Sequence, residues 1–379
     1  MYKNHLISLS RRFYSTPNNS ILSVYTNQNL EEKIKIQGWV RALRKLKENI
    51  FIDVSDGSCS KKLQVLIPNV HKPQGLSTGC SITASGYLNL SPKGQLELNA
   101  ENVEVCGECK VEDGYPFAPR KSYTSDYIRQ YLHFRPRTNK FSSLLRIRDY
   151  TILAIHNYFH EEGYINIHTP ILTSNDCEGA GEVFTVLPEN QRTLKNMAKP
   201  GVSLEEGYFN SKVFLTVSGQ LHLEAAAHSL SKVYTFGPTF RAENSKSRLH
   251  LSEFYMLEAE CAFLNRIEQV TNIVETLIKT VTSKIVDRHN EDIEKYKEQE
   301  IEFSWINKKF VTLTYDEAIS ILDKNKGKYN GDFSEAKGLT KQHEHFLVKY
   351  CDNVPTFIIE WPKHLKPFYM KNCTSDSSK

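Results

Sequence analysis

The chain has 379 residues, of which 40% are hydrophobic and 24% are charged, and these proportions exclude a mainly disordered protein. The formal net charge of +4 is compatible with a nucleic-acid partner but does not require one. No apolar run reaches the roughly 18 residues of a membrane-spanning helix. Only Cys106 and Cys109 form a C-x-x-C pair, and because zinc sites of this kind need a second pair we predict no metal site.

The N-terminal segment carries basic residues but no acidic residue before Glu31. Apolar residues recur at helical spacing from Tyr2 to Phe13, and a short, basic, acid-free amphipathic segment is typical of organelle transit peptides. Arg12-Phe13-Tyr14-Ser15 resembles a matrix-protease site. We therefore expect residues 1–16 to be a mitochondrial transit peptide and the protein to reside in the mitochondrial matrix. The alternative is a frayed basic tail.

Short stretches of alternating hydrophobicity follow and predict strands separated by small turns. Short strands of this kind favour a five-stranded OB-type β-barrel, which we place within residues 20–110. Barrels of this type bind oligonucleotides on one face. The stretches cover residues 34–40, 49–54, 63–67, 81–88, 95–98 and 103–105.

One face of the second strand is a candidate surface for single-stranded RNA. Arg41, Arg44, Lys45 and Lys47 are predicted to lie between the first two strands, and Phe51 follows them. By strand parity Phe51 lies on the less apolar face, where an aromatic ring beside cations suits unstacked bases and phosphates. A solvated loop next to a core phenylalanine is the alternative.

A proline-containing stretch over residues 111–140 predicts a hinge linker, and a helical pattern from Phe141 opens a second domain over residues 141–379. A predicted strand over residues 164–172 contains Pro170. Because proline donates no backbone hydrogen bond, this strand is expected at an edge or an interface. Glu178 and Glu182 then flank a flexible Gly-Ala-Gly loop.

Residues 213–263 predict a strand, a helix that Ser218 caps, and two further strands. On the last strand Phe254, Glu258 and Glu260 share one face, and we expect Arg241 to neutralise these carboxylates. An arginine for phosphate, a ring for a base and carboxylates for amines suit a nucleotide site. A half-exposed, ion-paired sheet is the alternative.

Residues 240–254, Phe-Arg-Ala-Glu-Asn-Ser-Lys-Ser-Arg-Leu-His-Leu-Ser-Glu-Phe, resemble motif 2 of class II aminoacyl-tRNA synthetases, and residues 163–170 resemble motif 1. With residues 178–182 and 218–220 the pattern resembles asparaginyl-tRNA synthetases, and residues 38–64 resemble their anticodon-binding OB domain. The resemblance runs from about residue 34 to 372. It implies an α+β fold, in which an N-terminal OB-type β-barrel precedes a class II synthetase antiparallel sheet flanked by helices.

The resemblance also implies a function and the residues that carry it. The expected activity is that of an asparagine–tRNA ligase: ATP with Mg²⁺ and asparagine give asparaginyl-adenylate, and the acyl group passes to tRNA(Asn). The enzyme is expected to be a homodimer. By the same resemblance, the residues that bind ATP are Arg241, Glu243, Arg248, His250 and Phe254, and Arg241 is also catalytic. Asparagine is expected to be bound by Glu178, Gln220 and Glu224, and the anticodon by Arg44, Phe51 and Gln64. Pro170 is expected to lie at the dimer interface.

The sequence departs from the family pattern in two places. Leu249 stands where the family usually has arginine, and the chain reaches Lys379 without a counterpart of motif 3 or of the acidic metal-binding strand. We therefore expect a truncated synthetase of uncertain activity. One alternative is a catalytically inactive relative that binds RNA. Another is an aspartate-specific or non-discriminating synthetase, which would want a lysine near Glu224, where residues 221–224 offer none.

Overall fold

The computed structural model describes residues 19–118, 121–179, 181–244, 250–297, 300–329, 338–374 and 376–379. These residues form two compact units, which are described separately below. The first comprises residues up to Asp149 together with residues 289–300, and the second comprises residues 150–288 and 301–379. None of the helices within the described ranges has the length and apolarity needed to cross a membrane.

The first unit is built on a closed five-stranded barrel with the strand order β1-β2-β3-β5-β4. Alternate residues of β2 point inward, where Ile50, Ile52 and Val54 are fully buried. The barrel closes tightly at Gly86, because a Cβ there would lie 1.9 Å from the carbonyl oxygen of Asn99. The strands are β1 (Lys33–Lys45), β2 (Asn49–Ser55), β3 (Leu63–Pro68), β4 (Ser81–Leu90) and β5 (Leu96–Gly107).

A helix that the alternation pattern missed, α1 (Ile21–Asn27), adds Ile21 and Val24 to the barrel core. Ser20 caps it by accepting from the backbone N–H of Ser23. The backbone N–H of Ile21 donates to Asp56 in the β2–β3 turn at 2.8 Å. The amphipathic signal of a seven-residue helix is short, which explains why the sequence alone did not reveal it.

The prediction that Arg41, Arg44 and Lys45 lie between the first two strands is wrong, because β1 extends through Lys45. A shift in register between Val40 and Ala42 lets the strand continue past Gly38-Trp-Val40. The cations are therefore part of the sheet.

The remainder of the first unit includes α2 (Ser125–Arg129), the beginning of α3 (Asn139–Glu161) and the end of a long helix, α6 (Ile267–Tyr296). This last helix has non-helical backbone angles at His289, with φ −121° and ψ 27°. Beyond the break, Asp292 is buried and accepts three hydrogen bonds from the guanidinium of Arg146 on α3, the shortest of them 2.6 Å.

The second unit is built around a three-stranded sheet with the order β10-β9-β6. The two longer strands are antiparallel, with Glu253 opposite Phe240, and β6 runs parallel to β9. An aromatic cluster that includes Phe159 and Tyr234, stacked at 4.5 Å, packs beneath this sheet. The elements are β6 (Ile165–Asn166), β7 (Leu172–Thr173), α4 (Gln191–Met197), β8 (Phe214–Leu215), α5 (Gln220–Leu230), β9 (Lys232–Phe240) and β10 (Glu253–Cys261).

The strand predicted over residues 164–172 is wrong in extent, because β6 ends at Asn166 and Pro170 lies between β6 and β7. Proline has no N–H to donate, so a ladder does not continue through position 170. The second unit ends with two parallel strands and two helices, namely β11 (Val311–Thr314), α7 (Tyr315–Lys324), α8 (Lys341–Tyr350) and β12 (Thr356–Ile359).

Candidate active site and nucleic-acid interface

The outer face of β2 carries Phe51, as strand parity predicted. Phe51 lies opposite Arg44 in the β1–β2 ladder, and the guanidinium carbon of Arg44 is 4.9 Å from the centre of the phenyl ring. This contact holds a cation beside one half-buried ring at the barrel surface. The pair can stack on a base and neutralise a phosphate at the same time.

Gln64 lies on the same face, one strand further along. The Nε2 atom of Gln64 donates to Glu97 Oε2 on β5 at 2.9 Å. Glu97 is only 8% exposed. An amide and a carboxylate side by side supply the donor and acceptor groups that read base edges. Sequence reasoning missed Glu97, although the alternation of β5 places it on the outer face with Gln64.

A second group of predicted residues lies where β9 ends and β10 begins. Arg241 follows β9 directly, and its guanidinium carbon is 5.7 Å from the ring centre of Phe254 on β10. Its Nε is buried and lacks a hydrogen-bond partner among the described residues. The backbone passes close by at Gly181, where a Cβ would lie 3.3 Å from Arg241 Cδ. An unsatisfied arginine N–H beside an aromatic ring is suited to a nucleotide phosphate.

The other predicted ATP-binding residues are less fully defined. Glu243 is partly exposed and lies 3.8 Å from Arg241, and His250 is exposed at the other end of the β9–β10 connection. Arg248 lies outside the described residues. The backbone of Glu178 belongs to a 3-10 turn over Cys177–Gly179, and its side chain is also outside what the structure describes.

The expectation that Arg241 neutralises the carboxylates of β10 is wrong. Glu258 instead accepts from the hydroxyl of Ser218 and, at 2.8 Å, from the backbone N–H of Gly219. The Ser218 hydroxyl in turn accepts from the backbone N–H of Gln220, the first residue of α5, at 3.1 Å. Glu258 therefore fixes the beginning of the helix that carries Gln220 and Glu224. Sequence reasoning placed Glu258 on this face but did not identify its partners, which are distant along the chain.

Carboxylates crowd together where α5 crosses β10. Burial, and then the negative charges of Glu224 and Glu258, raise the pKa of the Glu260 carboxyl above its ordinary value, while His228 opposes this shift. Phe254, Glu258 and Glu260 share one face of the strand. Because a strand rises roughly 3.3 Å per residue, Phe254 and Glu258 lie about 13 Å apart along it. The acidic end of this face can receive an ammonium or amide group while the aromatic end receives a base.

Within the described ranges, no group of three or more His, Cys, Asp or Glu side chains is arranged to hold a metal ion.

Two protein-family models match the chain, one over the region of the β-barrel and one over the region that carries the candidate active site. Residues 124–379 match the family described as tRNA synthetases class II (D, K and N), and residues 34–106 match the OB-fold nucleic acid binding domain. The chain thus belongs to the class II tRNA synthetases of this group and carries an OB-fold domain at its N-terminal side. The predicted α+β fold class and the predicted class of enzyme are confirmed.

Similarity to individual proteins identifies the family within this class. The chain is 41% identical to the human asparaginyl-tRNA synthetase over 350 residues, which is 90% of this chain and 71% of that protein. It is 38% identical to the asparagine–tRNA ligase of Idiomarina loihiensis over 368 residues, or 93% of this chain and 78% of that protein. Within its class, the chain belongs to the asparaginyl-tRNA synthetase family.

A solved structure supports the fold. The asparaginyl-tRNA synthetase of Pyrococcus horikoshii, complexed with asparaginyl-adenylate, superposes with a TM-score of 0.80 at 24% identity. The superposition covers 95% of this chain and 78% of that one.

Proposed function

We propose that this protein activates asparagine with ATP and transfers it to tRNA(Asn) in the mitochondrial matrix. The observation that carries the proposal is the single face of β10. It has an aromatic ring beside an unsatisfied arginine N–H at one end and a carboxylate cluster under α5 at the other. A ligand with a nucleobase and a phosphate at one end and an aminoacyl group at the other matches both its length and its polarity.

The first step joins asparagine to AMP. A carboxylate oxygen of asparagine attacks the α-phosphorus of ATP, the bond to the bridging oxygen breaks, and diphosphate leaves. Arg241 binds the α-phosphate and stabilises the charge that develops on its oxygens, while Phe254 stacks on adenine. The catalysis consists of positioning and charge stabilisation and needs no covalent enzyme intermediate.

The second step transfers the acyl group. A terminal ribose hydroxyl of the tRNA attacks the acyl carbon, and AMP leaves with the bonding electrons. Glu258 takes part in neither step directly, because its carboxylate is committed to Ser218 and Gly219. It holds the helix that presents Gln220 to the α-ammonium and Glu224 to the side-chain amide. Mg²⁺ would accompany ATP, and no step here depends on a metal held by the described residues.

Discrimination against aspartate follows from the charge of the pocket. The negative charges of Glu224 and Glu258 each raise the pKa of Glu260, so both carboxylates lie within electrostatic reach of it. A substrate amide donates to a carboxylate in this pocket, whereas a substrate carboxylate meets like charges. Residues 221–224 contain no lysine to pair with the side-chain carboxylate of aspartate.

The experiment is diphosphate exchange into ATP by the purified protein with asparagine or aspartate. Exchange with asparagine is the result that the proposed function requires, and in Glu224→Gln the preference for asparagine should fall about tenfold, roughly 1.4 kcal/mol. Glu268→Gln, an exposed carboxylate on α6, is the control and should leave the preference unchanged. Equal rates with both amino acids would indicate a non-discriminating enzyme. No exchange together with tight binding of tRNA(Asn) would indicate the inactive RNA-binding relative.

The location and the oligomeric state belong to the same proposal. The predicted transit peptide lies outside the described residues, and the acid-free composition of residues 1–30 supports it. Import of a reporter protein carrying residues 1–30 into mitochondria tests this location.

A homodimer is supported by exposed apolar side chains beside Pro170, namely Ile165, Ile171 and Leu172, each at least 44% exposed. Surfaces of this kind mark interfaces, and sedimentation of the purified protein measures its mass.

A further inference from the structure

Residues 187–212 form a separate lobe on the second unit, called here the inserted lobe. The chain leaves and returns at one point, because the backbone N–H of Val186 donates to the carbonyl of Val213 at 2.8 Å, and Thr185 bridges to Phe214. The two strands of this stem lead back to Glu182 on one side and forward to Ser218 on the other. The lobe is therefore attached between the segments that line the candidate active site.

The inserted lobe is folded. Asn190 caps α4 by accepting from the backbone N–H groups of Arg192 and Thr193, and Leu194 is only 6% exposed. The returning chain packs tightly on this helix at Gly207, where a Cβ would lie 3.1 Å from Ala198 Cβ. Its surface is thus presented on a defined scaffold.

The surface of the inserted lobe is unusually apolar for an exposed segment. Tyr208 and Phe209 form an edge-to-face pair with ring centres 4.7 Å apart, and each is 40% exposed. Met197 and Leu204 are 48% and 47% exposed. Exposed aromatic and apolar side chains grouped on one small element indicate a binding surface rather than scattered exposure.

The same lobe carries cations without carboxylate partners. Arg192, Lys195 and Lys199 are exposed, and none of the three side chains forms an ion pair within the part of the chain that the structure describes. Lys212, in contrast, is paired with Glu205 at 2.9 Å. Aromatic rings for stacking and uncommitted cations on the same lobe are the combination that binds single-stranded nucleic acid.

We propose that the inserted lobe binds the single-stranded 3′ end of the tRNA as it enters the active site. This inference rests on the proposed function, since that reaction must bring a 3′ terminal ribose to the site between Glu182 and Ser218. The rings of Tyr208 and Phe209 stack on bases of this strand, and Arg192, Lys195 and Lys199 neutralise its phosphates.

The test measures dissociation constants at fixed salt for intact tRNA(Asn) and for the same tRNA without its 3′ single strand. For the wild type we expect removal of the strand to weaken binding about tenfold, the effect of losing one or two stacked bases and their phosphate contacts. In a variant with Lys195→Gln, Lys199→Gln and Phe209→Ala, intact tRNA should bind about as weakly as trimmed tRNA, and trimming should have little further effect. Circular dichroism confirms that the variant is folded.

The matched control is Lys349→Gln with Tyr350→Ala, an exposed lysine and an exposed aromatic residue that end α8, which should behave as the wild type. The inference is overturned if trimming weakens the lobe variant as much as the wild type, or if trimming has no effect on the wild type. In either case a protein partner becomes the better explanation for the exposed surface. Phe51→Ala should weaken both RNAs equally. If it changes neither while the trimming effect persists, the anticodon part of the proposed function fails and the lobe inference stands.

Discussion

In the proposed RNA interface we expect Phe51 to act through its ring and not through the fold, because it lies on the outer face of β2 while its neighbours fill the barrel. Phe51→Ala should therefore weaken binding of tRNA(Asn) about tenfold or more, since a stacked base is worth roughly 1–3 kcal/mol. The melting temperature should change little. Val70→Ala removes another exposed apolar side chain of the same barrel, which is 86% exposed, and should leave the dissociation constant unchanged. Equal affinities for Phe51→Ala and wild type would remove Phe51 from the interface.

In the proposed function Glu258 is a positioning residue, which acts on the substrate only through the helix that it holds. Glu258→Gln keeps an acceptor oxygen for the backbone N–H of Gly219, but it removes the negative charge and leaves the Ser218 hydroxyl to accept from the new amide instead of donating to a carboxylate. Hydrogen bonds to charged groups contribute about 1.5–3 kcal/mol. We expect the KM for asparagine to rise several-fold while the KM for ATP is unchanged, because Arg241 and Phe254 do not depend on Glu258. A parallel rise in both constants would mean that the whole site had loosened, which contradicts a positioning role.

At the scale of elements, α6 is two helices joined at His289, and the second of them serves the barrel unit. Beyond the break, Lys295 donates to the carbonyl of Ser60 at 2.6 Å, and Lys61 pairs with Glu291 at 2.9 Å. The strongest link is the buried pair of Arg146 and Asp292, since Arg146 also donates to the carbonyl of Gly57 in the β2–β3 turn.

This link predicts a specific pH dependence. Burial alone would raise the pKa of the Asp292 carboxyl, but hydrogen bonds from Arg146, His289 and Ser143 outweigh it and lower that pKa. A carboxyl whose pKa is lowered by folding stabilises the protein above its unfolded pKa of about 3.9. This stabilisation is lost as the pH falls through the lower folded pKa.

Asp292→Asn should lower the free energy of unfolding by about 3 kcal/mol near pH 7, because it leaves Arg146 buried without a charged partner. The difference from the wild type, measured as urea midpoints, should shrink as the pH falls below about 4. Asp287→Asn changes an exposed carboxylate of α6 before the break at His289 and should stay within about 0.5 kcal/mol of the wild type. A difference that is constant with pH would show that the charge of Asp292 is not responsible.

At the scale of the whole molecule, the features that the sequence predicted correctly are those that depend on residues close together in the chain. The alternation of Ile50, Ile52 and Val54 fixed the face on which Phe51 lies, because strand parity needs only neighbouring residues. The helix beginning near Gln220 was predicted for the same reason, from a run of helix formers, although the residue at its N-cap position is Gly219 and not the expected Ser218. Arg44, Phe51 and Gln64 come together as a consequence of strand pairing in a barrel whose order is that of the OB fold.

The features that sequence reasoning missed depend on residues far apart in the chain. Glu258 and Ser218 are separated by 40 positions. The residues next to Glu258 in the sequence do not show whether its carboxylate bonds to the beginning of a helix or pairs with an arginine. The partnership of Arg146 and Asp292 spans 146 positions. Such contacts follow from the packing of elements, which no local pattern records.

The division of α6 between the two units has a consequence for fragments of this protein. The barrel unit is discontinuous in the chain, so no single cleavage can release it whole. A fragment that ends at Asp149 keeps the guanidinium of Arg146 but loses the carboxylate of Asp292, and the β2–β3 turn loses Lys295 and Glu291. Such a fragment is incomplete by one short helix, and a separate peptide spanning residues 289–296 is the piece that would complement it.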